Sequence, residues 1–386
     1  MIKKQFLNLY LFVFVAILLA FFVSIIHVSE SKKSTITFVS SVPLSGPARE
    51  LGIEYSSGID SYFKYTNDSG ILKDQNISFE VYDDNYEPYL TRTNITKAIK
   101  NRDIYGILGV VGTPTAEEAM KISISKNLPF LMPFSGAEFM YSKDYKNAFA
   151  LRPSYKMEAS KIVDYMVSKG IKKVAIVYQN DSFGLNALKA FNTAIKGSTV
   201  ELVSEGVYNR NTLSVNYAFN EIKNSKPQAV IIAGTHNPAI GLVKKMQSCN
   251  PKCLFFSFSF AGYELLQAEA LKKGVNVHNI FIAQVVPPIF IRTKSVVEFE
   301  EIYKRYYPKR EPSSIAYEGF LVGKVVSTTL VNSTHKNKYG FIDTLSHLNI
   351  NLLGDRNLTY SKDYHSGLKD VYLLSLDNGK STTAHE

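Results

Sequence analysis

The sequence of 386 residues lacks the motifs that define several large enzyme classes. It contains neither G-x-x-x-x-G-K-[ST] nor G-x-G-x-x-G, which excludes the two common nucleotide-binding loops. The G-x-S-x-G nucleophile elbow and the zinc-binding motif H-E-x-x-H are absent as well. The seven histidines are scattered, without the spacing of metal ligands. We therefore predict that the protein is not an enzyme and uses no cofactor and no metal ion.

Charge is not concentrated in any block of the sequence. Lysine and arginine total 44 against 34 acidic residues, which gives a net charge of +10. The basic residues are spread along the chain, and neither zinc-finger spacing nor the aromatic motif of an RNA-binding sheet occurs. We interpret the excess as a solvated basic surface and predict that nucleic acid is not a partner.

A long hydrophobic run stands at the N-terminus. Lys3 and Lys4 precede an almost unbroken apolar stretch over residues 9–26. This pattern is typical of an export signal, so residues 1–31 are set apart from the fold. The run approaches bilayer-spanning length and no small-x-small cleavage site follows, which favours an uncleaved membrane anchor over a cleaved signal peptide. In either case we expect the rest of the chain to be periplasmic, held to the inner membrane if the anchor persists.

Cysteine occurs only twice, as Cys249 and Cys253 in the segment "QSCNPKC". Two thiols without a nearby histidine make a poor zinc site. In an exported protein, a disulfide across this short loop is one interpretation, and two reduced thiols are an equally good one. The sequence leaves both open.

Strand-like and helix-like stretches alternate in two series after the N-terminal segment. The first series occupies residues 34–134 and the second residues 156–260. Short strands that alternate with helices of about ten to fifteen residues indicate parallel, doubly wound sheets. The sequence therefore predicts an α/β fold of two lobes, with a ligand cleft where the carboxyl ends of the two sheets face each other.

Two consecutive predicted strands end in a glycine beside a hydroxyl. Gly112-Thr113 follows one strand, and Ser135-Gly136 follows the next. Thr113 is suited to cap a helix, with Pro114 in the first turn, which is a purely structural interpretation. In the other interpretation, the free N–H groups and the hydroxyl bind an acceptor such as a ligand carboxylate. The local sequence leaves both open.

Seven motifs in order give the chain a family resemblance. They are the opening "VPLSGPARELGIEYSSG", "GILGVVGTPTAEEA", "LPFLMPFSGA", "ALRPSYKMEA", "KKVAIVYQNDSFG", "AVIIAGT" and "AYEGFLVGKVV". From residue 34 to about 375 the sequence resembles type I periplasmic binding proteins of the leucine/isoleucine/valine-binding class. The resemblance implies two lobes joined by three crossovers around a closing cleft. Lobe 1 is then expected to comprise 34–153 plus 286–333, and lobe 2 154–285 plus 334–378.

The resemblance also implies a ligand-binding site. Thr113 matches the hydroxyl that holds a ligand carboxylate in amino-acid-binding members. Phe183 and Thr235 fall where the second lobe presents closing side chains, although Phe183 is also consistent with a core position. The expected ligand-binding residues are Thr113, Ser135, Gly136, Tyr155, Phe183, Thr235 and Ser259.

The sequence departs from the family pattern in the segment "LFFSFSFAG". Amino-acid binders of the class place a carboxylate near the end of this strand, to pair with the ligand ammonium. Here Ser257 and Ser259 occupy the region, and the first acid is Glu264. Since a buried ammonium without a counter-charge is costly, we expect that an amide, a carboxylate or an aromatic acid fits as well as an α-amino acid. The phenylalanines of the segment are expected mainly in the core.

These inferences predict an exported solute-binding protein that captures a small polar ligand by hinge closure. The ligand is expected to be an amino acid, an amide or a small carboxylate, and the partner an ABC-type permease of a branched-chain-amino-acid-like uptake system. The alternative is a membrane-anchored extracytoplasmic sensor acting on a membrane partner. A cell-wall enzyme or enzyme activator is a third, disfavoured reading, since His236 fits a structural or ligand-bonding role and Asp84 a solvated loop.

Overall fold

The computed structural model describes residues 33–142, 144–335 and 337–377, together with 13–15 and 17. The predicted signal or anchor segment, residues 1–31, lies almost entirely outside the described residues, so its cleavage and anchoring stay predictions. Within the described ranges, no helix combines the length and the apolarity needed to cross a membrane.

The first lobe is built on a parallel five-stranded sheet. Its strands are β1 (Ser34–Val42), β2 (Gln75–Asp83), β3 (Gly106–Leu108), β4 (Phe130–Leu131) and β5 (Ala148–Phe149), in the order β2-β1-β3-β4-β5. The connecting helices are α1 (Arg49–Asp68), α2 (Pro88–Asn101) and α3 (Thr113–Lys126). Strands β3, β4 and β5 are buried along their whole length, which explains why the sequence shows apolar runs there instead of alternation.

The second lobe repeats this plan. It contains α4 (Tyr155–Ser168), β6 (Lys173–Gln179), α5 (Ser182–Ala194), β7 (Glu201–Tyr208), α6 (Asn216–Ile222), β8 (Ala229–Ala233), α7 (His236–Cys249), β9 (Leu254–Ser257), α8 (Tyr263–Lys273) and β10 (Ile280–Gln284). These five strands pair in parallel. The predicted α/β class, with two doubly wound parallel sheets, is confirmed.

The chain then returns to the first lobe before it ends in the second. The returning elements are α9 (Lys294–Tyr306), α10 (Ser314–Asn332), α11 (Lys338–Ser346), β11 (Asn349–Asn351) and β12 (Asn357–Thr359). The last strand, β13 (Tyr372–Ser375), pairs antiparallel with β10 and completes the second sheet in the order β13-β10-β9-β8-β6-β7. The chain therefore crosses between the lobes three times, after β5, after β10 and before β13.

Helix α10 packs against α1 at a distance that only glycine permits. A Cβ atom on Gly58 would lie 2.0 Å from the carbonyl oxygen of Ala316, and one on Gly319 would lie 2.2 Å from that of Tyr55. Any larger residue would separate the two helices. The backbones of the two helices are therefore in direct contact along this face.

The predicted lobe boundary at residue 334 differs from the observed contacts. The Phe341 ring on α11 packs against Phe38 of β1, with 6.0 Å between centroids. The Tyr360 hydroxyl donates to the Ala150 carbonyl oxygen at 2.9 Å. Residues 338–360 thus pack on the first lobe, and β13 joins the second. An apolar helix face indicates burial but does not specify which lobe it covers, which is why the sequence placed this boundary too early.

Buried polar contacts hold the crossovers. Arg152, just after β5, donates from Nε and Nη2 to the two carboxylate oxygens of Glu318 on α10, both at 2.9 Å. Only 1% of the Arg152 side chain and 3% of the Glu318 side chain are exposed. At the start of α10, the Ser314 hydroxyl accepts from Gln284 of the second lobe and donates to Glu264, each at 2.7 Å. Helix α10 is therefore tied to both lobes.

Candidate functional site

Three hydroxyl groups meet where the lobes touch. Thr113 Oγ1 lies 2.9 Å from Ser135 Oγ and 3.4 Å from the Tyr155 hydroxyl. Thr113 begins α3, Ser135 follows β4 and Tyr155 begins α4, so first-lobe and second-lobe elements both contribute. All three residues are buried. Two strand ends and one helix start, far apart in sequence, thus form one hydroxyl cluster, which we define as Thr113, Ser135 and Tyr155.

Gly112, and not Thr113, is the N-cap residue of α3. The threonine is the first helical residue, and no side chain caps this helix. Of the two interpretations that the local sequence left open, the one in which Thr113 caps the helix is therefore wrong. Gly112 has φ 100°, and a Cβ atom there would lie 2.1 Å from a ring carbon of Tyr86. The glycine lets the chain turn into α3 beneath that ring, which leaves the Thr113 hydroxyl free to face Ser135.

Aromatic rings from both lobes surround the hydroxyl cluster. The Phe260 ring centroid lies 5.6 Å from that of Phe134 and 6.0 Å from that of Tyr86, both on the first lobe. On its own lobe it lies 4.5 Å from Phe183, which in turn lies 5.3 Å from Tyr155. Phe183 and Tyr155 were predicted from the sequence and Phe260 was expected mainly in the core, whereas Tyr86 and Phe134 were missed. The rings give the interface between the lobes an apolar lining.

The segment "LFFSFSFAG" divides between core and interface. Phe255 and Phe256 are buried in strand β9, as expected for core residues. Phe258 instead packs edge-on against Tyr155, with 5.8 Å between centroids, and Phe260 takes part in the ring contacts just described. The expectation of core packing thus holds for the strand alone. The change comes where β9 ends, because side chains beyond the carboxyl end of a parallel strand face the cleft.

A buried carboxylate lies beside Ser259. Glu158 of α4 accepts from the Ser259 backbone N–H at 2.7 Å and from its hydroxyl at 2.9 Å. Burial raises the pKa of Glu158 to about 7, although the Arg152 guanidinium opposes this shift. Glu158 follows Tyr155 by three residues on the same helix, and this spacing is a sequence signal that would have found it. A buried carboxylate from another element therefore lies beside the serine-rich segment.

The remaining predicted residues occupy two different settings. The Gly136 carbonyl oxygen accepts from the Tyr155 backbone N–H at 2.7 Å, and a Cβ atom on Gly136 would lie 2.8 Å from that nitrogen. Gly136 thus allows the first lobe to approach the start of α4. Thr235 is the buried N-cap residue of α7, but its side chain makes no capping hydrogen bond. The described contacts do not connect Thr235 with the hydroxyl cluster.

Asp84 and His236 are both buried inside the protein. Asp84 is buried and accepts from the hydroxyls of Ser41 at 3.0 Å and Thr91 at 2.8 Å, so the prediction of a solvated loop is wrong. Burial raises the pKa of Asp84 to about 6. It also accepts from the Tyr86 backbone N–H at 3.0 Å, which fixes the loop that carries this ring. His236 is buried at the start of α7, and burial lowers its pKa to about 4.

The two cysteines are free thiols in the structure, Cys249 exposed and Cys253 buried. Burial raises the pKa of the Cys253 thiol to about 12, which makes it a weak nucleophile. Among the described residues, no group of three His, Cys, Asp or Glu side chains is arranged to hold a metal ion.

Two α/β lobes around a polar and aromatic interface define a two-lobed solute-binding architecture. The chain matches a family model described as "Periplasmic binding protein" over residues 35–381, and it belongs to that family. The Leu/Ile/Val-binding protein homolog 7 of Brucella melitensis is 21% identical over 302 residues, 75% of each chain. The resemblance to the leucine/isoleucine/valine-binding class is confirmed.

Solved structures show the same fold. A possible leucine/isoleucine/valine-binding protein from Rhodopirellula baltica superposes with a TM-score of 0.85 at 27% identity, covering 93% of this chain and 99% of that one. A branched-chain amino acid ABC transporter protein from Thermus thermophilus, with bound valine, superposes with a TM-score of 0.80 at 16% identity, covering 91% and 95%. The family and these structures are solute-binding proteins and not enzymes, so the predicted lack of catalysis is confirmed.

Replacement of Gly112 by alanine should disrupt the site through the Tyr86 ring. The variant combines unfavourable backbone geometry with a steric clash, and we expect the free energy of unfolding to fall by about 2–4 kcal/mol. Gly197→Ala is a control for positive φ without a steric clash, because Gly197 has φ 77° and open space around it. We expect it to lose only about 1 kcal/mol. Urea denaturation measures both, and equal losses would show that the Tyr86 contact is unimportant.

Proposed function

We propose that the protein captures a small zwitterion, an α-amino acid, between its lobes and delivers it to an ABC-type permease. The observation that carries this proposal is the buried Glu158 carboxylate, in the same interface as the hydroxyl cluster. Hydroxyl donors suit the ligand carboxylate, and a carboxylate suits the ligand ammonium. The sequence has no acid next to Ser259, which disfavours an amino acid, whereas the structure has the Glu158 carboxylate beside that residue.

The charges around the site support a zwitterion over a simple anion. Arg152 lies beside Tyr155 but is already paired with Glu318, so the ligand carboxylate is held mainly by the hydroxyl cluster. Glu158 lies one helical turn further along α4, where a second anion would be repelled once Glu158 is ionised. An ammonium group there would pair with it. A ligand with both charges therefore matches the site better than a carboxylate alone.

The rings favour an apolar or aromatic side chain on that amino acid. Tyr86 and Phe134 lie on one side of the interface, and Phe183 and Phe260 on the other. Burying an apolar side chain among such rings contributes on the order of 1.5–3 kcal/mol. A charged side chain would lose its hydration there without finding a partner. The class we propose is therefore leucine-like or phenylalanine-like.

Closure follows from the division of the site between the lobes. A ligand that contacts Thr113 of the first lobe and Glu158 of the second stabilises the arrangement in which both surround it. The three crossovers allow hinge motion between two rigid lobes. A permease that recognises the closed shape then responds only to loaded protein. A membrane-anchored sensor is the second candidate, favoured by the apolar run over residues 9–26, and the N-terminus of the mature protein distinguishes the two.

A thermal-shift screen tests the proposed ligand class. The purified protein is heated with each standard amino acid, its amide, and small aliphatic and aromatic carboxylates. A ligand that binds only the folded form raises the melting temperature by mass action. We expect the largest rise with an apolar α-amino acid. A rise with carboxylates that lack an amino group, and none with amino acids, would contradict the zwitterion.

Replacement of Thr113 by valine should weaken binding more than folding. The variant removes a hydroxyl that we assign to the ligand carboxylate, so affinity should fall by about 1–3 kcal/mol. Thr115→Val is the matched control, since the Thr115 hydroxyl donates to the Val111 carbonyl oxygen in the same turn. Titration calorimetry with the best ligand of the screen measures both variants. Equal affinity in wild type and Thr113→Val would remove Thr113 from the ligand site.

Glu158 should make amino-acid binding depend on pH. Its pKa is raised to about 7, so below pH 7 the carboxyl of the ligand-free protein is mostly neutral. An ammonium ligand favours the ionised form, and affinity should therefore fall by up to about tenfold per pH unit below 7 and level off above it. Glu158→Gln should bind weakly and without this dependence. Glu205→Gln, an exposed glutamate of the same lobe, should keep it. A pH-independent wild type would argue against an ammonium beside Glu158.

A further inference from the structure

A cluster of polar side chains joins the lobes at the edge of the aromatic interface. We call it the rim clasp and define it as Asn85 and Glu87 of the first lobe with Asp181, Arg210 and Asn211 of the second. Asn85 and Glu87 lie between β2 and α2, and Arg210 and Asn211 lie between β7 and α6. None of these residues belongs to the site described above.

The contacts of the rim clasp cross from one lobe to the other. Arg210 Nη2 donates to Glu87 Oε2 at 2.7 Å, and the two side chains are 22% and 27% exposed. The Asn211 amide donates to Glu87 Oε1 at 2.7 Å and to the Asn85 carbonyl oxygen at 3.0 Å. Both oxygens of the Glu87 carboxylate are thus engaged by the second lobe. Because the donors and acceptors lie on different lobes, these bonds exist only while the lobes are together.

Asp181 connects the rim clasp to the ligand site. Its Oδ2 lies 3.7 Å from Arg210 Nη1, and its Oδ1 accepts from the backbone N–H of Phe183 at 3.0 Å. Asp181 thereby caps α5, the helix whose first turn carries the Phe183 ring. The Arg210 guanidinium also lies 5.9 Å from the centre of the Tyr86 ring. The clasp is therefore continuous with the rings of both lobes.

Three residues at or beside the rim clasp have left-handed backbone. Asn85 and Tyr86 have φ of 48° and 60°, and Asn211 has φ of 59°. Asparagine adopts this conformation more readily than other non-glycine residues, whereas a bulky residue such as Tyr86 does so only where surrounding contacts hold it. In this arrangement the Asn85 carbonyl oxygen lies 3.0 Å from the Asn211 side-chain amide.

Unfavourable free-energy contributions to closure offset part of the gain from the bonds of the rim clasp, which keeps it reversible. Arg210 Nε, Asn85 Oδ1 and Asn211 Oδ1 are buried without a hydrogen-bond partner, so closure removes them from water without compensation. A partly exposed ion pair such as Arg210–Glu87 is also weakened by salt. The favourable bonds and these penalties partly cancel. Such a balance suits a contact that must open again to load and release a ligand.

We propose that Arg210 determines ligand affinity without being a ligand-binding residue, by pairing with Glu87 and stabilising the closed arrangement of the lobes. This inference rests on the proposed function, because closure affects affinity only if the ligand binds between the lobes. Part of the free energy of closure is then supplied by the protein, and the apparent affinity rises with the population of the closed form.

The test is a double-mutant cycle on the ion pair. Arg210→Gln, Glu87→Gln and the double variant are compared by calorimetry with L-leucine and by X-ray scattering without ligand. We expect each single variant to bind about three- to tenfold more weakly, and the double variant to bind no worse than either one. The ligand-free variants should have a larger radius of gyration than the wild type. Arg102→Gln breaks an ion pair with Glu80 inside the first lobe and should change neither quantity.

The two readouts separate failure of this inference from failure of the proposed function. If L-leucine does not bind the wild type, scattering alone decides. The clasp is supported if the radius of gyration is larger in Arg210→Gln than in the wild type. It is also supported if the wild type has a larger radius of gyration at about 500 mM NaCl than at about 20 mM, because salt screens the ion pair. An unchanged radius overturns it. If L-leucine binds, additive losses in the double variant also overturn it, since Arg210 and Glu87 would then act independently.

Discussion

The buried ion pair between Arg152 and Glu318 is the contact on which the rest of the site depends. Arg152 lies in the first crossover, and Glu318 lies on α10, the helix that is locked to α1 through paired glycines. Both charges are almost completely buried, so removing either partner would leave the other uncompensated, at about 3–5 kcal/mol. The pair fixes where the chain leaves the first lobe. It thereby determines where α4 begins and where Tyr155 and Glu158 lie.

The two lobes contribute different chemical groups to the interface between them. The first lobe supplies hydroxyls at strand ends, where glycine allows close approach of the backbone. The second supplies a carboxylate from a helix and rings from the end of β9. In the proposed function, the hydroxyls bind the anionic part of the ligand, the carboxylate binds its cationic part and the rings contact its apolar part. The division between lobes then makes closure a consequence of binding.

The sequence predicted these parts unequally, for physical reasons. Alternating strands and helices specify parallel sheets, and strand ends mark the cleft, so Thr113 and Ser135 could be found without coordinates. Glu158 was missed because its contact with Ser259 joins two elements far apart in the sequence, although its position one turn after Tyr155 places it on the same helix face. Asp84 was misplaced because burial of an acid depends on tertiary partners such as Thr91. The lobe boundary failed for the same reason, since helical periodicity indicates a buried face but not its neighbour.

The most direct test of the proposed ligand site is a crystal structure of the protein grown with the amino acid that raises its melting temperature most. We expect electron density between the lobes, with the ligand carboxylate within hydrogen-bonding distance of Thr113 and Ser135 and the ammonium beside Glu158. Density elsewhere would contradict it, for example in the groove of about 660 Å³ on the second lobe that Lys223 and Lys226 line. So would a ligand between the lobes with its carboxylate toward Glu158.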